Sequence, residues 1–225
     1  QPAPQVAVVI PRILELGQEA PGTAVGRIAL QGGLITDTRR KAAAPRALDT
    51  HAIPFTRISP DLPVMSIVLI DTPASRLDRE TLLGFALPVT FAVDATQPDA
   101  AEAVRSYREN GFEVVLLANG LPQDGTAQDF ERAFEGAANI VDEAVAVLDT
   151  PARFLSNTRV ALDTVLGRLQ DSGHGLLTLP QGLNAAEAAA RRAGVPGLTV
   201  YRLLDAEREQ SAVIARYLDS AAFTA

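Results

Sequence analysis

The acidic residue with the most evident chemical use in this chain is Asp71, which ends the apolar run at residues 67–70. Such a run is typical of a buried parallel strand, and α/β folds place their active-site residues at the carboxyl ends of these strands. Few other residues of the types used in catalysis accompany this carboxylate. The chain has no Cys and only two His, His51 and His174, which do not form a metal-ligand pair at helical spacing. The pattern therefore indicates a fold more clearly than a reaction.

Length and composition limit the class of protein. With 225 residues, of which 47% are hydrophobic, the chain can bury the core of one main α/β domain. The net charge of -7 argues against a nucleic-acid partner, because phosphate backbones are bound by basic surfaces. No stretch approaches the roughly 18 to 20 uninterrupted apolar residues of a transmembrane helix. The absence of Cys excludes disulfides and thiolate catalysis.

Two regions of the chain differ in composition and in hydrophobic pattern. Residues 1–63 are rich in Pro, Gly and Ala and show no sustained period, so we interpret them as an extended N-terminal arm or linker. Three short strands are possible within this arm, at residues 6–10, 25–30 and 53–58. Residues 64–225 alternate short apolar runs with amphipathic segments, which is typical of βα units around a parallel sheet.

The strands of the second region can be counted. Six runs rich in Val, Leu, Ile or Phe predict strands at residues 65–71, 89–94, 112–119, 153–157, 175–179 and 198–205. Helices fill the gaps, and capping-box patterns mark four of their starts: Ser75 with Asp78, Asp99 with Glu102, Thr126 with Asp129, and Asn184 with Glu187. The longest helix is predicted over residues 127–148. About six βα units are too many for most small open sheets and indicate an α/β fold of the (β/α) barrel type.

Two strand segments carry a likeness to a known family. The first strand ends Ile70-Asp71, and the second is entered through Leu-Pro-Val-Thr-Phe-Ala at residues 87–92. These features, with the order of elements from about residue 63 onwards, resemble the divergent branch of the polysaccharide deacetylase family, whose domain is an irregular (β/α) barrel. The resemblance implies a further strand and helix after the last predicted unit, so the barrel would lack its last unit here, either because the protein ends its barrel short or because the sequence is cut. The open sheet edge would then need cover from the N-terminal arm or from another protomer.

The resemblance also implies a metal site, of which this chain keeps little. Enzymes of the family remove acetyl groups from amino sugars with a divalent metal held by an Asp and two His, and a neighbouring Asp acts as base. Here a single acid, Asp71, precedes Thr72 where the family has paired acids. The other strand ends, where the family has His or acidic residues, offer Asn119, Ser156, Asn157, Pro180 and Gln181. Without imidazole ligands, the chain lacks the groups that would hold the metal and so activate the nucleophilic water.

The strand ends instead predict a neutral rim of hydrogen-bonding groups. Five side chains would line the barrel mouth and suit sugar hydroxyls: Thr72, Asn119, Ser156, Asn157 and Gln181. The plainer interpretation is that polar residues at loop starts only keep the surface soluble. Asp71 remains the candidate catalytic residue, and a metal ligand only if a metal is bound at all.

Three hypotheses on function stay open. The first is a catalytically degenerate deacetylase-like domain of the cell envelope, without a cofactor, that binds a glycan or an envelope protein. The second is an active hydrolase that removes acetyl groups from an envelope polysaccharide with a divergent divalent-metal (Zn) site around Asp71, although oxygen ligands alone suit Mg or Ca better. The third is a structural partner that forms a homo-oligomer through its N-terminal arm. The family likeness and the start at Gln1 in place of Met predict an exported or periplasmic protein.

Overall fold

The computed structural model of the protein describes residues 5–9, 46–54, 65–73, 78–122, 125–150, 155, 158–180, 185–205 and 209–224. The strands within these ranges are β1 (Gln5–Val9), β2 (Ser66–Asp71), β3 (Thr90–Asp94), β4 (Glu113–Leu117), β5 (Ala146–Leu148), β6 (Gly175–Thr178), β7 (Gly197–Thr199) and β8 (Arg202–Leu204). The helices there are α1 (Ala47–His51), α2 (Arg79–Leu83), α3 (Ala100–Glu109), α4 (Ala127–Ile140), α5 (Arg159–Ser172), α6 (Ala185–Arg192) and α7 (Ser211–Thr224). In this described part of the chain, no helix has the length and apolar character that crossing a bilayer requires.

The strands form one sheet in the order β7-β6-β5-β4-β3-β2-β1-β8. Strands β2 to β7 pair with one another as parallel neighbours in chain order, and helices α2 to α6 lie in their connections. Six parallel strands alternating with helices confirm the predicted βα units.

The two ends of the sheet come close together. Strands β7 and β8 stand at opposite ends of the strand order, yet only Val200 and Tyr201 separate them along the chain. The backbone N–H of Val200 still donates to the carbonyl of Thr178 on β6, at 2.7 Å. Because the three Cα steps from Thr199 to Arg202 span at most about 11 Å, the sheet must curl until its edges nearly meet. This curl confirms the predicted barrel-like fold.

Strand β1 lies between β2 and β8. It runs antiparallel to both, with Ala7 opposite Val68 on one side and Leu203 on the other. A segment of the N-terminal arm therefore pairs with the strand that begins the parallel set, where the sequence predicted that an edge would need cover. The possible strand at residues 25–30 lies outside the described residues. The domain boundary at residue 63 stays a prediction.

Alternation along the strands separates two hydrophobic clusters. On the face that meets the helices, Leu69, Phe91 and Val114 pack with helix residues such as Tyr107 and Phe130. The opposite face, which the curl encloses, holds a second cluster formed chiefly by Val68, Ile70, Ala92, Val115, Leu117 and Leu148. Burial on both faces explains why the strands read as nearly continuous apolar runs.

The fourth parallel strand is not where the sequence predicts it. A helix is predicted over residues 127–148, but α4 ends at Ile140 and residues 146–148 form β5. Residues 144–148 are all buried, which a helix packed on one face cannot achieve. Within the strand predicted at residues 153–157, only Leu155 is described, and it has helical conformation. The predicted helix was thus too long, and its last residues belong to the sheet.

Helix α1 packs at the end of the barrel opposite the carboxyl ends of the strands. The backbone N–H of Leu48 donates to the carbonyl of Gly173, and a Cβ on Gly173, whose φ is +74°, would lie 2.5 Å from the Cβ of Arg46. His174 follows directly and precedes β6, away from the rim, as predicted. Burial, together with the charge of His51, lowers the pKa of His174 below its ordinary value of 6.5.

The free energy of unfolding should therefore fall at acidic pH because of His174. A lowered pKa means that the unfolded chain binds this proton more readily than the folded protein, so stability is lost as the pH falls below about 6.5. We expect His174→Gln to flatten the dependence of the urea midpoint on pH between 7.5 and 5, by about the contribution of one site. His51→Gln should flatten it less, since it removes only the second cause. Identical pH profiles for His174→Gln and the parent protein would contradict this expectation.

Candidate functional site

The carboxyl ends of the parallel strands bring three buried acids to the rim of the barrel. Asp71 ends β2, Asp94 ends β3 and Asp149 directly follows β5. Because side chains alternate along a strand, Asp71 lies with Leu69 on the helix-facing side, whereas Asp94 lies with Ala92 on the enclosed side. Asp71 and Asp94 therefore belong to different surroundings, although their strands are neighbours.

Asp71 is held by a buried tyrosine of α3. The Tyr107 hydroxyl donates to Oδ2 of Asp71 at 2.8 Å. Its ring stacks on Phe91, with ring centroids 3.7 Å apart and planes inclined by only 3°. Burial, reinforced by the negative charge of Asp71, raises the pKa of Tyr107, so the phenol keeps its proton and remains a hydrogen-bond donor.

The second partner of Asp71 is a cation at the start of α2. Nε of Arg79 donates to the same oxygen of Asp71 at 2.9 Å, and Nη1 donates to Asp99 at 2.5 Å. The N-cap residue Asp78 accepts hydrogen bonds from Thr81 and so sets the first turn of α2, which carries Arg79. Partial burial lowers the pKa of Arg79, but its hydrogen bonds with Asp99 and Asp71 outweigh this effect and raise the pKa above its ordinary value. Arg79 is therefore a permanent positive charge.

A cavity of about 500 Å³ opens beside this group. The described residues that line it are, apart from Pro73, polar or charged: Asp71, Thr72, Pro73, Asp78, Arg79, Glu80, Gln97 and Asp99. Among these described residues, four carboxylates and one guanidinium give a net negative charge. The volume is typical of a small-molecule site. Of the residues predicted to line the barrel mouth, Thr72 lines this cavity together with Asp71.

Asp94 and Asn119 form a separate network. The Asn119 amide donates to Oδ2 of Asp94 at 2.9 Å, while the backbone and hydroxyl of Thr96 donate to Oδ1 at 2.9 and 2.7 Å. Burial would raise the pKa of Asp94, but these hydrogen bonds, with a further one from Gln97, hold it below its ordinary value. Asp94 thus organises the turn after β3, which is a common role for an acid at the end of a strand. One amide hydrogen of Asn119 is used for the hydrogen bond with Asp94.

The remaining residues of the predicted rim are outside the described ranges. Ser156, Asn157 and Gln181 all lie there, and their role in binding stays a prediction. Pro180, where the family would have an acidic residue, is described and exposed.

The acid that the sequence reading missed is Asp149. Its Oδ1 accepts from the backbone N–H groups of Thr150 and Leu155 at 2.9 and 3.1 Å, so it shapes the turn that follows β5. A signal was present in the sequence. Leu-Asp-Thr-Pro at residues 148–151 repeats the Ile-Asp-Thr-Pro of residues 70–73, and each motif follows an apolar run. Because the helix was predicted to continue to residue 148, the strand β5 that ends there was not recognised.

The metal site implied by the resemblance does not fit these residues. Among the described residues, no group of three or more His, Cys, Asp or Glu side chains is placed to hold one metal ion. Oδ2 of Asp71 already accepts hydrogen bonds from Arg79 and Tyr107. Asp71 stands where the resemblance implies a pair of acids, and the positive charge of Arg79 lies against it. His51 and His174 lie at the other end of the barrel. Asp71 is thus neutralised by a side chain of the protein itself.

The hydrogen bond between Tyr107 and Asp71 should contribute measurably to stability. Tyr107→Phe removes a buried donor to a carboxylate, so we expect the free energy of unfolding to fall by about 1.5 to 3 kcal/mol. Tyr217→Phe is the matched control, because the hydroxyl of this partly buried tyrosine has no hydrogen bond within the described structure, and we expect a change within about 0.5 kcal/mol. Urea unfolding followed by circular dichroism measures both, and equal losses in the two variants would contradict the assignment.

Comparisons with known proteins agree with this architecture. The model of a family described as divergent polysaccharide deacetylase matches residues 67–225. No curated protein matches the chain. Among solved structures, an uncharacterized protein from Agrobacterium tumefaciens is similar, with a TM-score of 0.64 and 18% sequence identity, over 80% of this chain and 78% of that one. At that identity the likeness shows the fold alone. The family match spans well over half of the sequence and confirms the resemblance seen at the strand ends: the chain belongs to the divergent polysaccharide deacetylase family.

Proposed function

We propose that this protein is a catalytically degenerate member of its family, a pseudoenzyme that uses the rim of its barrel to bind a glycan of the cell envelope. The observation that carries the proposal is the pairing of Asp71 with Arg79 and Tyr107. A carboxylate engaged in this way has a fixed counter-charge and is not available to activate water. Envelope location, in the periplasm or outside the cell, belongs to the same proposal and is supported by family membership.

The cavity beside Asp71 favours a glycan over a protein as the ligand. At about 500 Å³ it has room for a sugar unit, whereas protein partners generally meet flatter surfaces. Its lining offers carboxylate acceptors, guanidinium donors, the Thr72 hydroxyl and the Gln97 amide. Sugar hydroxyls both donate and accept, so this mixture suits them.

The two other hypotheses have less support. An active hydrolase would need a set of metal ligands, and none is assembled by the described residues. Assembly through the N-terminal arm would need a free strand, and the strand of the arm that the structure describes, β1, pairs with β2 and β8 of its own chain. A homo-oligomer formed through the N-terminal arm stays a prediction.

The proposal predicts binding without release of acetate. Titration with N-acetylated chitooligosaccharides or peptidoglycan fragments should raise the melting temperature, because a ligand of the native state stabilises it. The same mixtures with added zinc should release no acetate above the level of a protein-free blank. Thr72→Val, which removes a hydroxyl from the cavity lining, should weaken binding by roughly 3- to 10-fold, the equivalent of one hydrogen bond.

The control for this titration is Asp163→Asn, a change on the exposed face of α5 that should leave binding unchanged. Zinc-dependent acetate release that disappears in Asp71→Asn would show an active hydrolase and overturn the proposal. A melting temperature unmoved by every fragment would contradict glycan binding while leaving the loss of catalysis intact.

A further inference from the structure

We propose that Arg79 is a built-in counter-cation that has taken over the neutralising role of a metal beside Asp71. The intact protein would then exclude divalent metals from this position, and removal of Arg79 would open a site for an external cation. The inference deepens the proposed function and rests on it, because a carboxylate neutralised by Arg79 belongs to a binding site and not to a metal-activated one. Its test measures cation binding and needs no glycan.

One guanidinium, that of Arg79, binds two carboxylates. Nε of Arg79 donates to Asp71 at 2.9 Å, and Nη1 of the same planar group donates to Asp99 at 2.5 Å. Asp71 comes from the end of β2 and Asp99 from the start of α3. Two acids that are distant in sequence therefore converge on a single positive charge.

The ion pair of Asp71 with Arg79 is largely buried. The side chain of Asp71 is only 6% exposed and that of Arg79 is 32% exposed. A carboxylate so far from water needs a partner, because an uncompensated buried charge is strongly destabilising. Asp99 is half exposed and would tolerate the loss of Arg79 more easily.

The carboxylate of Asp71 has little capacity left to coordinate a metal. Oδ2 of Asp71 already accepts two hydrogen bonds, from Arg79 and from Tyr107. A cation that approached the other oxygen would share this carboxylate with the guanidinium, and the repulsion between positive charges a few ångströms apart, at an effective dielectric constant near 20, lowers its affinity by on the order of 100-fold or more. A bound metal and a bound Arg79 are thus alternatives at this carboxylate.

The experiment compares variants of Arg79 that differ in charge. Arg79→Gln keeps much of the side-chain volume but removes the charge, so Mn²⁺ should bind at least about 10-fold more tightly to it than to the parent protein. Arg79→Lys keeps the charge and should exclude Mn²⁺ as the parent does. Isothermal titration with the metal alone measures both affinities, and the parent protein should show no saturable site.

A rescue experiment tests the same claim through stability. Arg79→Ala should melt at a lower temperature than the parent protein, and guanidinium chloride well below denaturing concentrations should restore part of the loss relative to sodium chloride at equal ionic strength. The restoration should vanish in the double variant Asp71→Asn with Arg79→Ala, which has no carboxylate to neutralise. Arg159→Ala, which breaks an exposed ion pair on α5, is the control and should not respond to guanidinium.

Two results would overturn the inference. One is a parent protein that binds Mn²⁺ or Zn²⁺ as tightly as Arg79→Gln does. The other is an Arg79→Ala protein whose melting temperature responds equally to guanidinium and to sodium. Neither result depends on whether a glycan binds, so a failed glycan titration and a failed cation test remain distinguishable.

Discussion

The carboxylate of Asp71 links three elements of the barrel through one oxygen. It ends β2, accepts from Arg79 at the start of α2 and accepts from Tyr107 within α3. Arg79 continues the link to Asp99, the residue that begins α3. The first βα units are thus tied together at the rim formed by the carboxyl ends of the parallel strands. Because the acid is buried, its partners decide what the site can do, and here they are a permanent cation and a protonated phenol.

Local pattern was sufficient to predict most of the sheet, but not its fourth parallel strand and not the break between β7 and β8, which were predicted as one strand over residues 198–205. The strands ending at Asp71 and Asp94 were predicted because each apolar run stops at an acid, and sheet pairing agrees with both. Strand β5 was missed because Val141, Ala144 and Leu148 continue the helical spacing of α4, while only tertiary burial shows that the last residues belong to the sheet. A strand at residues 6–10 was possible from the local pattern, but its pairing with β2 and β8 was not predicted, since pairing of distant segments leaves no local signal.

The partners of Asp71 could not be predicted from the sequence. Asp99 was expected to cap α3, but its side chain makes no capping hydrogen bond and its carboxylate binds Arg79 instead. Tyr107 carries no signal of a site in the sequence, because its contact with Asp71 joins residues 36 positions apart. Such contacts depend on how α2 and α3 pack on the sheet. The scarcity of His and acidic residues at the predicted strand ends could be seen in the sequence, whereas the pairing of Asp71 with Arg79 required the fold.

The pairing of Asp71 with Arg79 is tested most directly by a crystal structure of the protein soaked in zinc, with anomalous diffraction recorded at the zinc edge. We expect no anomalous peak within bonding distance of Asp71, and Nε of Arg79 within hydrogen-bonding distance of its carboxylate. A zinc ion bound to Asp71, with Arg79 turned away, would contradict the central claim and restore the case for a metal-dependent enzyme.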